Sequence, residues 1–125
     1  MKDLIILARD IGFKPKTITT QYTFDSYFNS KKIPFVTVMC NYILLYEIQT
    51  WLRNKYKIDI IVGSDILGYI VYIWNRNIFK KLKLGNVNIF ETYEEALEFG
   101  VHEVLKYYKN KSIEDDKRDS KKDNI

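Results

Sequence analysis

The chain has 125 residues, 46% of them hydrophobic and 15% aromatic, which suits a single domain with one substantial core. Its only cysteine, Cys40, excludes an intramolecular disulfide and a multi-cysteine metal site. The net charge of +4 allows contact with nucleic acid but does not require it. The longest uncharged run, Ile33 to Tyr46, has 14 residues, whereas a membrane-spanning helix needs about 20. We therefore expect a soluble, cytoplasmic protein that makes no membrane contact.

The N-terminal segment contains one recognisable helix. Residues 3–11 place Leu4, Leu7, Ala8 and Ile11 on one face, and Gly12 follows at the position favoured for a helix C-cap. Residues 17–30 are rich in Thr, Tyr, Phe and Ser and show no clear period. Either an irregular strand or a long loop carrying aromatic side chains is consistent with this second segment.

A long helix is predicted from about Pro34 to Tyr56, because proline suits the first turn of a helix. Its second half has one apolar face, formed by Leu44, Leu45, Ile48, Trp51 and Leu52. Its first half is apolar on every side, so it is expected to be buried on more than one side. Either the N-terminal helix or another chain would provide that cover.

Two strands follow the long helix. The segment Ile58 to Val62 alternates, whereas Tyr69 to Trp74 is apolar at every position. A strand that is apolar on both faces is typically central in its sheet and covered on both sides. We therefore expect the N-terminal segment or a second chain to cover its second face. A third, edge strand is predicted around Ile78 to Leu84, where lysines suit an exposed edge.

The C-terminal helix has the clearest signals in the chain. Thr92 and Glu95 have the spacing of a capping box. One continuous apolar face then follows, formed by Tyr93, Ala96, Leu97, Gly100, Val101, Val104, Leu105 and Tyr108. A glycine inside this face costs up to about 1 kcal/mol of helix propensity, so we expect the helix backbone to lie close to the sheet there. Because the apolar content falls after Lys109, residues 1–109 are predicted to form the domain and residues 110–125 a charged, flexible tail.

Together these elements predict an α+β fold with two layers. A small antiparallel sheet of about three strands packs on the long central helix and on the C-terminal helix. The short N-terminal helix adds an extra layer to this arrangement.

Four segments together resemble a known protein family. They are LYEIQTWLR at residues 45–53, KIDI at residues 57–60, ETYEEALE at residues 91–98 and LARDIGF at residues 7–13. The chain is similar to small uncharacterised proteins encoded by Bacteroidota genomes, their prophages and mobile elements. The resemblance implies a phage or mobile-element setting. Its motifs are caps, core positions and a helix–strand corner, so it implies no functional residues.

No combination of residues predicts catalysis. His102 lies beside Glu98 and Glu103, away from the apolar face, and its spacing to other residues matches no catalytic or metal site, which is typical of a surface histidine. Cys40 would need a basic partner to act as a nucleophile, and its neighbours Val38, Met39 and Ile43 favour a buried structural thiol instead. The carboxylates of Glu91, Glu94, Glu95 and Glu98 suit the start of a helix, although they would also suit a hard cation. We therefore expect a non-enzymatic protein with no cofactor and no metal.

The basic segment at residues 76–83 is the candidate for contact with nucleic acid. Its cations are Arg76, Lys80, Lys81 and Lys83, and the aromatic residues Trp74 and Phe79 are interleaved with them. Contacts of these cations with phosphates, combined with aromatic stacking on bases, would fit single-stranded nucleic acid. The same lysines are also typical of an edge strand that is protected against aggregation.

Aromatic residues outside the predicted apolar faces form the candidate protein interface. They are Tyr22, Phe24, Tyr27 and Phe28 in the unassigned segment, and Phe99 and Tyr107 on the last helix. Intramolecular cover by the first forty residues would explain the same pattern. We predict a non-catalytic phage or mobile-element accessory protein that binds another protein, a host defence component being one candidate, or that self-associates as a homo-oligomer. The alternative is a nucleic-acid-binding module that uses residues 76–83.

Overall fold

Four helices and three strands make up the computed structural model, which describes residues 1–29, 38–77, 80–82 and 89–123. In chain order they are α1 (Lys2–Asp10), α2 (Ile18–Ser26), α3 (Val38–Tyr56), β1 (Ile58–Ser64), β2 (Tyr69–Asn75), β3 (Lys80–Leu82) and α4 (Tyr93–Asp123). The predicted α+β class is confirmed.

The three strands form one antiparallel sheet with β2 in the middle. Ile60 of β1 lies opposite Ile73 of β2, and Trp74 of β2 lies opposite Lys81 of β3. Helices α3 and α4 both pack on the face of the sheet where the buried strand residues lie, which are Ile58, Ile60, Val71 and Ile73. This face is termed the inner face, and the opposite one the outer face.

Helix α4 approaches the inner face closely at Gly100. A Cβ atom at this position would lie 2.7 Å from Val71 Cγ2 and 2.8 Å from Ile60 Cγ2, which is nearer than real contacts allow. The missing side chain lets the helix backbone rest on β1 and β2, as the sequence predicts. The helix starts at the predicted cap, where the Thr92 hydroxyl oxygen accepts a hydrogen bond from the Glu95 N–H at 3.1 Å.

Helix α3 passes into β1 through one residue, Lys57, which adopts a left-handed φ of 59°. The Lys57 carbonyl accepts a hydrogen bond from the Arg76 N–H at 2.9 Å, so the corner is fixed to the end of β2. The predicted apolar face of α3 is buried at Leu44, Leu45, Ile48 and Leu52. The prediction that the first half of the helix is buried on more than one side is wrong, because Val38 and Met39 are each 65% exposed and Ile43 is 43% exposed. The predicted helix start at Pro34 lies outside the described residues.

The segment that lacked a clear period contains helix α2, so the prediction of a strand or loop there is wrong. Thr17 caps this helix: its hydroxyl accepts from the Thr20 N–H, and the Thr20 hydroxyl oxygen accepts from the Thr17 N–H, both at 3.1 Å. Thr20, Thr23 and Phe24 are buried at helical spacing, and α2 packs on α3. Helix α1 packs instead on α4, so the N-terminal helices add to the helical layer.

Two predicted boundaries differ from the structure. The third strand is found at Lys80–Leu82, and the rest of the predicted strand, at residues 78, 79, 83 and 84, lies outside the described residues. Helix α4 continues past Asn110 to Asp123, so this part of the predicted tail is helical. Its residues from Asn110 to Glu114 are all exposed, which places this extension beyond the core.

Candidate interaction surface

The outer face of the sheet exposes large apolar side chains. Strand alternation directs Ile61 of β1 and Ile70, Tyr72 and Trp74 of β2 away from the helices. Ile61 is 50% exposed, Tyr72 40% and Trp74 37%. A sheet face of this composition is typical of a surface that becomes buried against something else. These four residues are termed the outer sheet face.

The N-terminal helices do not lie on this surface. Helix α1 packs on α4 and α2 packs on α3, on the inner side of the molecule. The prediction that α1 or α2 covers the second face of β2 is therefore wrong. Residues 30–37, which also belong to the N-terminal segment, lie outside the described part of the chain. The alternative explanation, a partner on the outer side, stays a prediction.

The free edge of β1 is less available than the outer sheet face. The backbones of Lys57 and Asp65 hydrogen-bond toward β2. Hydrogen-bonded and non-hydrogen-bonded residue pairs alternate along an antiparallel ladder, so Ile58, Ile60 and Val62 direct their backbone N–H and C=O groups to the free edge. The Gln49 side chain, which is buried on α3, donates to the Ile60 carbonyl at 3.0 Å. An added strand would have to displace this amide in the middle of β1.

One end of the outer sheet face carries two arginines around one carboxylate. The Asp59 carboxylate forms ion pairs with both, at 3.1 Å from Arg76 Nε and 3.5 Å from Arg53 Nε. Arg76 also donates through Nη2 to the carbonyl of Arg53 at 3.0 Å. Because the three side chains are about a quarter to a half exposed, they form a partly solvated ion cluster. This cluster is termed the arginine end.

The other end of the face is the turn between β1 and β2, which is termed the tip (Asp65 to Gly68). Asp65 Oδ1 accepts hydrogen bonds from the Leu67 N–H at 2.7 Å and from the Gly68 N–H at 3.0 Å. Gly68 has a φ of 148°, and a Cβ there would lie 2.6 Å from the Phe90 carbonyl oxygen. The turn therefore holds a defined shape while Ile66 is fully exposed and Leu67 is 76% exposed.

The aromatic residues predicted as a protein interface do not share one surface. Phe24 is a correction, because it is buried at 8% exposure and packs on Phe13 and Phe28. Tyr27 and Phe28 are half-buried: the Tyr27 hydroxyl is hydrogen-bonded to Asn41, and the Arg9 guanidinium lies 4.2 Å from the centre of the Phe28 ring. Tyr22 on α2 is exposed.

On helix α4 the two predicted interface residues also differ from each other. Phe99 is half-buried with its ring 5.1 Å from that of Phe90. Tyr107 is exposed. The two exposed members of this predicted set, Tyr22 and Tyr107, therefore lie on different helices, whereas Tyr72 and Trp74 lie two residues apart on the outer sheet face.

The predicted nucleic-acid residues are only partly described. Arg76 is engaged with Asp59 and with the backbone of Arg53, as given above. Lys80 and Lys81 occupy successive positions of β3, opposite Asn75 and Trp74. Lys83 lies outside the described residues.

His102 lines a groove of about 310 Å³ between α1 and α4, which also includes Asp3, Glu95 and Glu98. Within the described ranges, no group of three or more His, Cys, Asp or Glu side chains could hold a metal ion. Cys40 is half-buried near the start of α3. No helix of the described part is long and apolar enough to span a membrane. These positions give no arrangement of nucleophile, base and oriented partner.

Sequence reasoning missed Ile66 and Leu67, because the segment 63–68 reads as a turn. A usable signal was present, since two adjacent aliphatic residues stand between an aspartate and a glycine in a short hairpin connection. The apolar character of β2 on both faces did indicate the outer sheet face, although not its continuity with the tip.

Comparisons with protein-family models, with curated proteins and with solved structures find no match.

Proposed function

We propose that the protein is a non-catalytic binding domain whose contact surface is the outer sheet face together with the tip, and whose partner is a protein. The observation that carries this proposal is the exposure of Ile61, Tyr72 and Trp74 side by side on a sheet whose inner face is already filled. A protein partner is favoured because this surface offers apolar contact area with charged groups at its ends.

The side chains on this surface are of the types that contribute most to binding. Trp and Tyr are enriched among residues whose truncation costs more than about 2 kcal/mol of binding free energy. The strand positions and the hydrogen-bonded tip also fix these side chains before binding, so little conformational entropy is lost. The surface is therefore prepared for contact without rearrangement of the fold.

The biological setting is a separate proposal. The resemblance to phage and mobile-element proteins favours an accessory protein that acts on a component of the host cell, a defence component being one candidate. The outer sheet face supports the binding part of this proposal and leaves the identity of the partner to experiment.

A pair of matched double variants tests the proposed surface. Ile61→Lys with Tyr72→Glu removes the apolar centre but leaves an opposite-charge pair across two opposed strand positions, which preserves the sheet. Tyr22→Lys with Tyr107→Glu is the control, because it makes the same kind of change at two exposed residues of the helical layer.

The measurement is co-purification from the native host of proteins bound to a tagged chain, including an untagged second copy. We expect a partner that the wild type and the control retain and that the Ile61→Lys/Tyr72→Glu variant loses. A partner lost only with the control variant would move the interface to the helical layer. Equal retention by all three proteins, or by none, would also overturn the proposal.

A further inference from the structure

The outer sheet face is complementary to itself. We propose that its partner is a second copy of this chain, related by a two-fold axis that lies in the plane between the two faces and runs across their strands. This inference rests on the proposed function, because it uses the same surface. In this dimer the tip of each copy lies over the arginine end of the other, and the apolar centres of the two faces meet between them.

Opposite charges at the two ends of the surface carry this inference. At the arginine end two cations, Arg53 and Arg76, share the single carboxylate of Asp59, which leaves one positive charge. At the tip, Asp65 contributes a negative charge. Glu91 adds a second one nearby, because it follows Phe90, whose backbone pairs with Tyr69 at the base of the tip.

The spacing of these charges selects the orientation of the second copy. Asp65 lies six positions after Asp59 along the chain, which corresponds to about 20 Å in an extended strand. This exceeds the screening length of about 8 Å at physiological salt, so each end interacts with what lies directly over it. A copy placed in the same direction would bring like charges together. A copy turned end for end brings each negative tip to a positive arginine end.

The centre of the face suits close approach of two sheets. The midpoint between the charged ends falls at Val62, and its neighbours on the outer side are Ile61 and Gly63. A Cβ at Gly63 would be 3.6 Å from Tyr72 Cε2, so the Tyr72 ring lies beside the glycine and the surface is flat there. Flat apolar faces pack at about 10 Å between sheets.

The size of the surface predicts a reversible dimer. Two strands of seven residues and one of three give a face of at most about 23 by 14 Å, smaller than the roughly 800 Å² per partner of a typical stable interface. Ile66 and Leu67 add exposed apolar area at the tip. We therefore expect monomer and dimer to exchange, with the dimer fraction rising with protein concentration.

A charge exchange between two variants tests the arrangement. Asp65→Asn and Glu91→Gln, combined with Leu67→Lys, make the tip positive, and asparagine at residue 65 keeps the acceptor oxygen that holds the turn. Arg53→Glu makes the arginine end negative and leaves the Arg76–Asp59 ion pair in place. Each variant alone opposes its own dimer at both contacts. A mixed dimer would have one exchanged contact and one native contact, both attractive.

The measurement is sedimentation velocity from about 10 μM to about 500 μM, with circular dichroism as the check that each variant is folded. We expect a mass that rises toward the dimer for the wild type. Each variant alone should show at least a tenfold weaker dimer, and the equimolar mixture should recover most of the loss. In a Trp51→Phe background, emission from Trp74 should shift to the blue as the wild-type surface dimerises.

Three results would overturn the inference. A wild type that stays monomeric over this range excludes the second copy as the partner. If the wild type dimerises but the equimolar mixture of the two variants does not regain the dimer, the end-for-end arrangement is excluded. A dimer unaffected by Ile61→Lys/Tyr72→Glu places the contact elsewhere. If the wild type is monomeric but another protein is retained through the outer sheet face, the proposed function stands and only this inference falls.

Discussion

The two faces of the sheet have similar sequences and different environments. Along β2, Ile73 is completely buried and the next residue, Trp74, is 37% exposed. On the inner face, α4 rests directly on β1 and β2 because Gly100 has no side chain, and α3 covers the rest of β1. The outer face has no such counterpart among α1 and α2, which both pack on the helical layer. Apolar residues on a strand therefore indicate that a face can be buried, whereas the placement of the helices decides which face is.

The largest difference between the faces should appear on truncation of neighbouring residues. Ile73→Ala leaves a cavity in a filled core and should lower the free energy of unfolding by about 2–5 kcal/mol. Tyr72→Ala, one residue away on the exposed face, should lower the free energy of unfolding of the monomer by less than about 1 kcal/mol. Urea unfolding at low protein concentration measures both. Comparable losses would mean that the outer face is already buried within the monomer.

A glycine-to-alanine pair makes the same comparison with a smaller change. Gly100→Ala places a methyl group within 2.8 Å of two stiff, β-branched side chains, so overpacking should outweigh the gain in helix propensity. We expect a net loss of about 1–2 kcal/mol in the free energy of unfolding. Gly63→Ala meets only an ordinary 3.6 Å contact with Tyr72 and should be neutral or stabilising. Thermal denaturation of the two variants tests this, and a stabilised Gly100→Ala protein would contradict the close approach of α4.

Elements with local sequence signals could be predicted, whereas features set by long-range packing could not. Helix α4, strand β2 and the second half of α3 were predictable because caps and periodicity are local signals that agree with the packing. Helix α2 was not, because two of its three buried residues, Thr20 and Thr23, are polar and satisfy their hydroxyls on backbone carbonyls, so its buried face shows no apolar period. The inward turn of Phe24 follows from that helix. Which face of β2 stays open depends on long-range packing, so no local pattern could specify it.

The burial of a tyrosine hydroxyl on helix α4 should affect how stability depends on pH. Burial, with smaller contributions from Tyr107 and Tyr56, raises the pKa of Tyr108 to about 12, and its ring stacks 3.9 Å from that of Tyr56. Below about pH 10 the hydroxyl is neutral in both states. As the pH rises from about 10 to about 12, the unfolded chain loses this proton while the folded chain keeps it, so stability falls.

Urea midpoints measured across this pH range should therefore decrease, and the decrease should be smaller in Tyr108→Phe. Burial also raises the pKa of Tyr27 and Tyr56, so part of the decrease should remain in that variant. An unchanged slope in Tyr108→Phe would show that its hydroxyl is solvated in the folded state.

The smallest effect on stability is expected at the arginine end, where the outer sheet face meets solvent. Arg76→Ala removes one partner of Asp59 and the hydrogen bond to the Arg53 carbonyl, in a cluster that is partly exposed. The free energy of unfolding should fall by less than about 1 kcal/mol, and by less still at high salt. The free energy of unfolding lost by the double variant with Arg53→Ala should differ from the sum of the two single losses, because both arginines act on one carboxylate.

The single variant Arg76→Ala also separates the two functions considered for the basic segment. If Arg76 serves Asp59, binding to short single-stranded DNA or RNA at low salt should not change on its removal. A salt-dependent shift that disappears with Arg76→Ala would instead show a guanidinium available to phosphate and would favour the nucleic-acid-binding module.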